Sequence, residues 1–229
     1  MSIYPPDEFR VDPYDITSKQ VDQFLSLIIK NSDETEIDDF LQENLPILAF
    51  ISVFFWTGHH GAWILPQQLI KPRVGQNKGL KPDYLFAGDN SDGVTWWILE
   101  LKGANENIWI EDKNGDFRFS GTANKGVNQL TRYIDYCTIN QGVIRDAYGI
   151  DSFTEPKGIL LMGRGKEFKN NEQKRNLKRR HNRNNPHLQI RTYDALINKI
   201  KDAGQINYKL PWLQKLKINL LTTQLEKTE

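Results

Sequence analysis

The sequence predicts an α/β fold in which a mixed sheet carries helices on both faces. Three observations lead there. Short runs rich in β-branched and aromatic residues (Trp63–Ile70, Asp83–Phe86, Thr95–Leu101, Gly158–Met162, Leu188–Thr192) are interspersed with stretches of helical periodicity. The element order is ααβββ, a two-stranded excursion, then αβαβαα, which is one domain's worth of mixed pairing. The 229 residues, 38% hydrophobic and 11% aromatic with six Trp, suffice for a sizeable core and exclude wholesale disorder.

Residues 1–16, with Pro5, Pro6 and Pro13, form an irregular arm. Thr17 and Gln20 stand at capping-box spacing before Val21, Phe24, Leu25, Ile28 and Ile29, which predicts an amphipathic helix over 18–30. A second helix starts near Thr35, buries Ile37, Phe40 and Leu41, and stops before Pro46. From Ile47 to Trp56 the chain is apolar on every side, so periodicity assigns it to the core without choosing helix or strand. Asp83–Phe86 and Thr95–Leu101 are joined by Ala87–Gly93, a plausible hairpin loop. Ile108–Glu111 and Asp116–Phe119 flank an Asn-Gly turn as a small flap. A helix around 124–138 places Val127, Leu130, Tyr133, Ile134 and Cys137 on one side. The strand Gly158–Met162, a strongly basic helix near 168–183, the strand Leu188–Thr192 and a helix from Tyr193 follow. A last helix from about Pro211 carries Trp212, Leu213, Leu216 and Leu220. The chain thus divides into an acidic arm and helix (1–34), a central domain (35–205) and a C-terminal helix (206–229).

The net charge of +1 hides an asymmetry. Residues 1–50 hold eleven acids against three bases, a net of −8, so the rest carries +9. The single Cys137 excludes an internal disulfide framework and a Cys-based zinc cluster within one chain, and is most simply a buried small hydrophobe. There is no apolar leader, and no apolar run approaches the ~18 residues of a membrane span. A cytoplasmic protein without a membrane partner is expected.

The stretch that carries chemistry is Lys81-Pro82-Asp83-Tyr84-Leu85-Phe86 followed by Trp97-Ile98-Leu99-Glu100-Leu101-Lys102. On a strand, Glu100 and Lys102 point to one face, in otherwise apolar surroundings. A hairpin could bring the Asp83 carboxylate beside Glu100. Two such carboxylates repel unless a hard divalent cation lies between them. That cation would polarise a phosphodiester and acidify a bound water, and Lys102 could orient or deprotonate the water or stabilise the transition-state charge. A bare Glu-x-Lys is usually a solvated face or an ion pair; the Pro-Asp strand start and the order of elements argue against that here.

Pro82-Asp83 with Glu100-Leu101-Lys102 resembles the signature of the PD-(D/E)xK, or restriction-endonuclease-like, phosphodiesterase superfamily. Its αβββαβ core corresponds to helix 35–45, three strands, helix 124–138 and strand 158–162. Gln129-Leu130-Thr131-Arg132-Tyr133 is similar to the Gln and Tyr that some branches carry on the following helix. Within the superfamily the chain resembles the Shedu-type nucleases of bacterial anti-phage defence. The similarity rests on the acidic helix Glu36–Pro46, Asp83-Tyr84, Leu99–Lys102, Gln129 and Thr192-Tyr193-Asp194-Ala195-Leu196, and spans about 35–200.

The resemblance implies a metal-dependent DNA endonuclease leaving a 5′-phosphate. Asp83 and Glu100 would bind Mg2+ or Mn2+, Lys102 would complete the reaction centre, and Gln129 would position Lys102, water or a phosphate. Glu36 would be an auxiliary or supporting carboxylate, with a helix-surface glutamate as the alternative. Small members of the group could act as homo-oligomers. A housekeeping repair or recombination nuclease of the same fold stays open, as does a non-catalytic DNA-binding or scaffold module.

Arg164 to Arg183 holds nine bases and two acids, a net of +7 in twenty residues. The expectation is sequence-independent contact of Arg164, Lys166, Lys169, Lys174, Arg175, Lys178, Arg179 and Arg180 with the DNA backbone. Solvated helix surface and pairing with the acidic first fifty residues are the alternatives. His59-His60 is expected in a loop rather than at a metal, and Trp96, Trp97 and Trp109 in the core rather than stacked on bases. Gly163-Arg164-Gly165-Lys166 lacks the spacing of a Walker motif, so no nucleotide cofactor is expected.

Overall fold

A computed structural model describes residues 2–55, 60–66 and 80–198. His59, the far end of the first strand and the helix from Pro211 lie outside the described residues. The first helix, α1 (Ser18–Ile29), opens with the expected capping box: the Gln20 N–H donates to Thr17 Oγ1, and the Thr17 N–H donates to Gln20 Oε1 at 2.7 Å. It is followed by α2 (Glu34–Glu43), capped by Asp33, whose side chain accepts from the Glu36 N–H. The apolar stretch after it is a helix, α3 (Leu45–Phe55), with Pro46 in its first turn, where a missing N–H costs nothing.

Five strands form one sheet in the order β1 (Gly61–Pro66), β2 (Tyr84–Asn90), β3 (Gly93–Leu101), β6 (Lys157–Leu161) and β7 (Leu188–Arg191). The first three run antiparallel to their neighbours, whereas β3, β6 and β7 are parallel. The hairpin joining β2 and β3 is tighter than the seven-residue loop expected. Asn90 pairs with Gly93 and only Ser91 and Asp92 turn, because Gly93 takes φ +95° and the Asn90 side chain accepts from the Asp92 N–H. The flap, β4 (Trp109–Glu111) and β5 (Phe117–Phe119), is a separate two-stranded sheet, as expected.

Helices cover both faces. On one, α1, α2 and α3 bury Val21, Phe24, Leu25, Ile28, Ile37 and Leu41 against Ile64, Phe86, Leu99 and Leu161. The segment expected as an appendage is therefore part of the central core. On the other face lies α4 (Gly121–Ile139), with α5 (Gln141–Tyr148), a helix not expected from sequence. It escapes periodicity because only Ile144 of its eight residues is buried. Gly126 and Gly158 let α4 approach β6: a Cβ on Gly126 would meet Leu160 Cδ1 at 2.6 Å. The basic segment folds as a 3-10 turn (Gly165–Phe168) and then α6 (Glu172–Asn184), which flanks the edge strand β7. A further helix, α7, occupies 193–198. Cys137 is buried, with its thiol pushed up to about 12 by burial, and Trp96, Trp97 and Trp109 are buried in the core.

Candidate active site

The site forms at the ends of β2 and β3. Tyr84 opposes Leu99, so one further step in the antiparallel register sets Asp83 across from Glu100. Asp83 Oδ2 accepts from the Leu101 N–H at 2.7 Å, a donor beyond the last rung of the ladder. Glu100 and Lys102 project from the same side of β3 and are 2% and 4% exposed. Lys102 Nζ donates to Glu100 Oε1 at 2.9 Å and to the Leu101 carbonyl at 2.6 Å.

A third carboxylate completes the arrangement. Lys102 Nζ lies 3.1 Å from a carboxylate oxygen of Glu34, the first residue of α2. Backbone contacts bring α2 there: the Ala104 N–H donates to the Ser32 carbonyl at 2.9 Å, and a Cβ on Gly103 would stand 3.1 Å from Asp33 Cα. Only glycine lets the chain leave β3 that close to the helix start.

Glu36 is elsewhere. It is paired with Lys30 at 3.1 Å and lines a surface groove of about 350 Å³ with Asp39 and Glu43. The α2 face toward the site instead presents Glu34 and, one turn on, Asp38, whose Oδ1 accepts from the Tyr84 hydroxyl at 2.7 Å. The expectation for Glu36 is thus corrected to Glu34, since two positions along a helix are about 200° apart. Glu34 was not picked out from sequence.

From the opposite face, α4 supplies Gln129 and Tyr133. The Tyr133 hydroxyl donates to the Lys81 carbonyl at 3.2 Å, and Gln129 hydrogen-bonds that hydroxyl. The Asp83 and Glu100 charges both act on Tyr133, and Gln129 Oε1 is buried without a hydrogen bond. From β7's far end, Tyr193 donates its hydroxyl to the Lys102 carbonyl at 2.9 Å.

The electrostatics are those of a cation-deficient cluster. Burial, opposed by the Leu101 N–H and Lys102, pushes Asp83 up to about 6. Burial and the Asp83 charge push Glu100 up to about 7, and its Oε2 is buried without a partner. Burial alone would lower Lys102; Glu100 and Glu34 outweigh it and hold the ammonium above its ordinary range. Lys102 is therefore a fixed cation at neutral pH in this arrangement.

A divalent ion fits this donor set. Mg2+ is commonly held by one or two carboxylates, with water and substrate phosphate making up the rest. Asp83 and the unpartnered Oε2 of Glu100 offer that minimum. Among the described residues no three His, Cys, Asp or Glu converge as a closed metal cage.

A family model described as Shedu protein SduA, C-terminal, matches residues 31–197. The chain belongs to this Shedu family. No curated protein matches the chain. The Shedu match points to anti-phage defence and takes in β1 to β7, α2 to α6 and every residue of the site. The helix α1, which precedes residue 31, is outside it although it shares the core. Among the described residues no helix is long and apolar enough to cross a membrane.

The basic segment divides in two. Arg164 is 7% exposed and turns inward: its Nε and Nη2 donate to both oxygens of Asp194 at 2.9 and 3.1 Å, and Nη1 donates to the Ile28 carbonyl at 2.6 Å. It joins α7 to the end of α1 and is withdrawn from the surface set. Lys174 is half-buried, tied to Glu167 and the Trp109 carbonyl. Lys178 is half-buried over the Phe168 ring. Lys166, Lys169, Arg175, Arg179 and Arg180 are exposed, with Arg175 paired to Glu172. Their excess charge faces solvent.

Proposed function

We propose that the protein is a metal-dependent DNA endonuclease of the PD-(D/E)xK type, acting in Shedu anti-phage defence. One observation carries this reading. A buried carboxylate, Glu100, meets a half-buried one, Asp83, at a strand end; both are pushed far above their ordinary range, and one Glu100 oxygen has no partner. Carboxylates so strongly perturbed by burial and by one another cluster at functional sites.

Asp83 and Glu100 would hold Mg2+ or Mn2+. The bound ion would polarise the phosphodiester and acidify a water at neutral pH. Lys102, kept charged by Glu100 and Glu34, stabilises negative charge gathering on the phosphate oxygens rather than removing a proton. Glu34 fixes the Lys102 rotamer from α2. Gln129, braced by Tyr133, offers a side-chain amide to water or phosphate. The exposed part of the basic segment contacts the DNA backbone without reading sequence.

The test is cleavage of supercoiled and linear DNA by wild type and Glu100→Ala in Mg2+, Mn2+ or EDTA. Metal-dependent cutting absent from Glu100→Ala is the expected result, and cutting retained by that variant refutes the site. DNA binding in EDTA with no cutting in either metal would favour the binding-module reading.

A further inference from the structure

Beyond the end of β3 the chain runs Lys102-Gly103-Ala104, and each of these residues is held from outside the strand. The Lys102 N–H donates to the Leu161 carbonyl at 2.9 Å, the Gly163 N–H donates to the Gly103 carbonyl at 3.0 Å, and the Ala104 N–H donates to the Ser32 carbonyl at 2.9 Å. Backbone groups make all three bonds, so the fold supplies them whatever side chains it carries. The Lys102 carbonyl is different. It accepts from a side chain, the Tyr193 hydroxyl, at 2.9 Å.

That carbonyl belongs to the peptide between Lys102 and Gly103, where the chain is softest. Position 103 requires glycine, because a Cβ there would stand 3.1 Å from Asp33 Cα. Glycine reaches a wider range of φ and ψ than other residues, so the flank of the lysine has no side chain to limit rotation of that peptide. The Lys102 side chain folds back on its own strand to reach Glu100 Oε1 at 2.9 Å and the Leu101 carbonyl at 2.6 Å. Its placement therefore depends on the local backbone. A hydrogen bond to the Lys102 carbonyl fixes ψ at that residue, and with it the footing on which the ammonium stands.

Tyr193 is suited to this task. It opens α7, is fully buried, and shares the core with Leu101 and Leu161. A phenylalanine would fill the same space, and a buried hydroxyl costs free energy unless it is paired. The hydroxyl thus has a polar task rather than a packing one. Its base is fixed as well. The Tyr193 N–H donates to the Gly163 carbonyl at 3.2 Å, and the next residue, Asp194, takes Arg164 in a two-pronged ion pair. Arg164 in turn donates to the Ile28 carbonyl at the end of α1, a few residues before Glu34. The charges of Glu34, Asp83 and Asp38 all act on the Tyr193 hydroxyl, which puts it at the back of the same cluster.

We propose that Tyr193 is a positioning residue of the reaction centre: its hydroxyl, acting through the Lys102 carbonyl, keeps the Lys102 ammonium in place between Glu100 and Glu34. This role rests on the nuclease reading above, and Tyr193 acts in it through Lys102 rather than on the substrate.

The experiment compares wild type with Tyr193→Phe in the full chain by two readouts. In Mg2+, kcat for plasmid cleavage should fall about 10- to 100-fold, with KM and duplex affinity in EDTA unchanged. In EDTA, amide hydrogen exchange should quicken about tenfold at Ala104 and keep its wild-type rate in the middle of α4. A tyrosine that merely fills the core would leave kcat of the folded variant and exchange at Ala104 unchanged, and that result overturns the proposal. A fall in kcat with faster exchange throughout α4 is general loosening and overturns it too. If Tyr193→Phe does not fold, 4-fluorophenylalanine and 4-aminophenylalanine are placed at position 193, both close to tyrosine in size. The amino form keeps a donor and should match wild type, whereas the fluoro form should show both losses; equal behaviour overturns the role. If wild type cuts no DNA in Mg2+ or Mn2+, the nuclease reading fails and exchange alone decides. Quickening confined to Ala104 then upholds the brace on Lys102, and no quickening overturns it.

Discussion

Glu34 and Lys102, sixty-eight positions apart, meet at 3.1 Å and tie the start of α2 to the reactive end of β3. The contact gives the Lys102 ammonium a second carboxylate to lean on and frees Glu100 Oε2 from having to supply it.

Glu34→Gln should therefore lower metal-dependent cleavage by about 10- to 100-fold, the usual cost of losing a group that orients a reactive one. Glu36→Gln should cut like wild type, since Glu36 faces the α1–α2 groove. Equal rates for the two variants would detach α2 from the site.

Asp83 and Glu100 set a pH dependence with a definite sign. They hold protons up to about 6 and 7 in the folded, metal-free chain and release them near 4 when unfolded. The folded state binds the extra protons, so these groups lower stability as pH rises from roughly 4 to 7. In EDTA, the fall in melting temperature between pH 5 and pH 7.5 should be a few degrees smaller in Glu100→Gln than in wild type. Mg2+ at pH 7.5 should stabilise wild type and not Asp83→Asn. A steeper fall in Glu100→Gln contradicts a Glu100 carboxyl raised by burial and the Asp83 charge.

Arg164 and Arg180 separate structure from substrate contact. Arg164→Leu strips Asp194 of its charged partner and the Ile28 carbonyl of its side-chain donor, and should cost about 3–5 kcal/mol in urea unfolding. Arg180→Gln is at an exposed helix position and should leave stability within about 0.5 kcal/mol while weakening DNA binding.

Gly158→Ala probes the seat of α4. The added Cβ would meet Ile134 Cδ1 at 2.9 Å and Leu130 Cδ2 at 3.3 Å, so overpacking should destabilise by about 1–3 kcal/mol. Because α4 also carries Gln129 and Tyr133, cleavage should fall in the same variant under conditions where it is fully folded.

The convergence of Asp83, Glu100 and Lys102 was legible in the sequence because strand alternation has a period of two and the hairpin register is short-range. The α1 cap was legible for the same reason: both partners lie within four residues. Glu34 was not, because placing the helix start near Thr35 rather than at the Asp33 cap rotates attention to the wrong face. The contact that decides it, Gly103 against Asp33, joins segments some seventy residues apart. Nor does a run of bases disclose that Arg164 turns inward; its partner Asp194 comes thirty residues later, on another element. The 47–55 stretch was ambiguous because a helix buried on all sides has no stripe to detect.

The Val21, Phe24, Leu25 and Ile28 face of α1 has a consequence for where this unit begins. The part held in common with other Shedu chains starts at residue 31, yet a fragment trimmed to 31–197 would strip a layer from beneath the sheet and leave Arg164 without the Ile28 carbonyl. The recognisable module is thus smaller than the foldable one. Any transplant of this unit into another protein would need α1, or a substitute helix with the same apolar stripe, to travel with it.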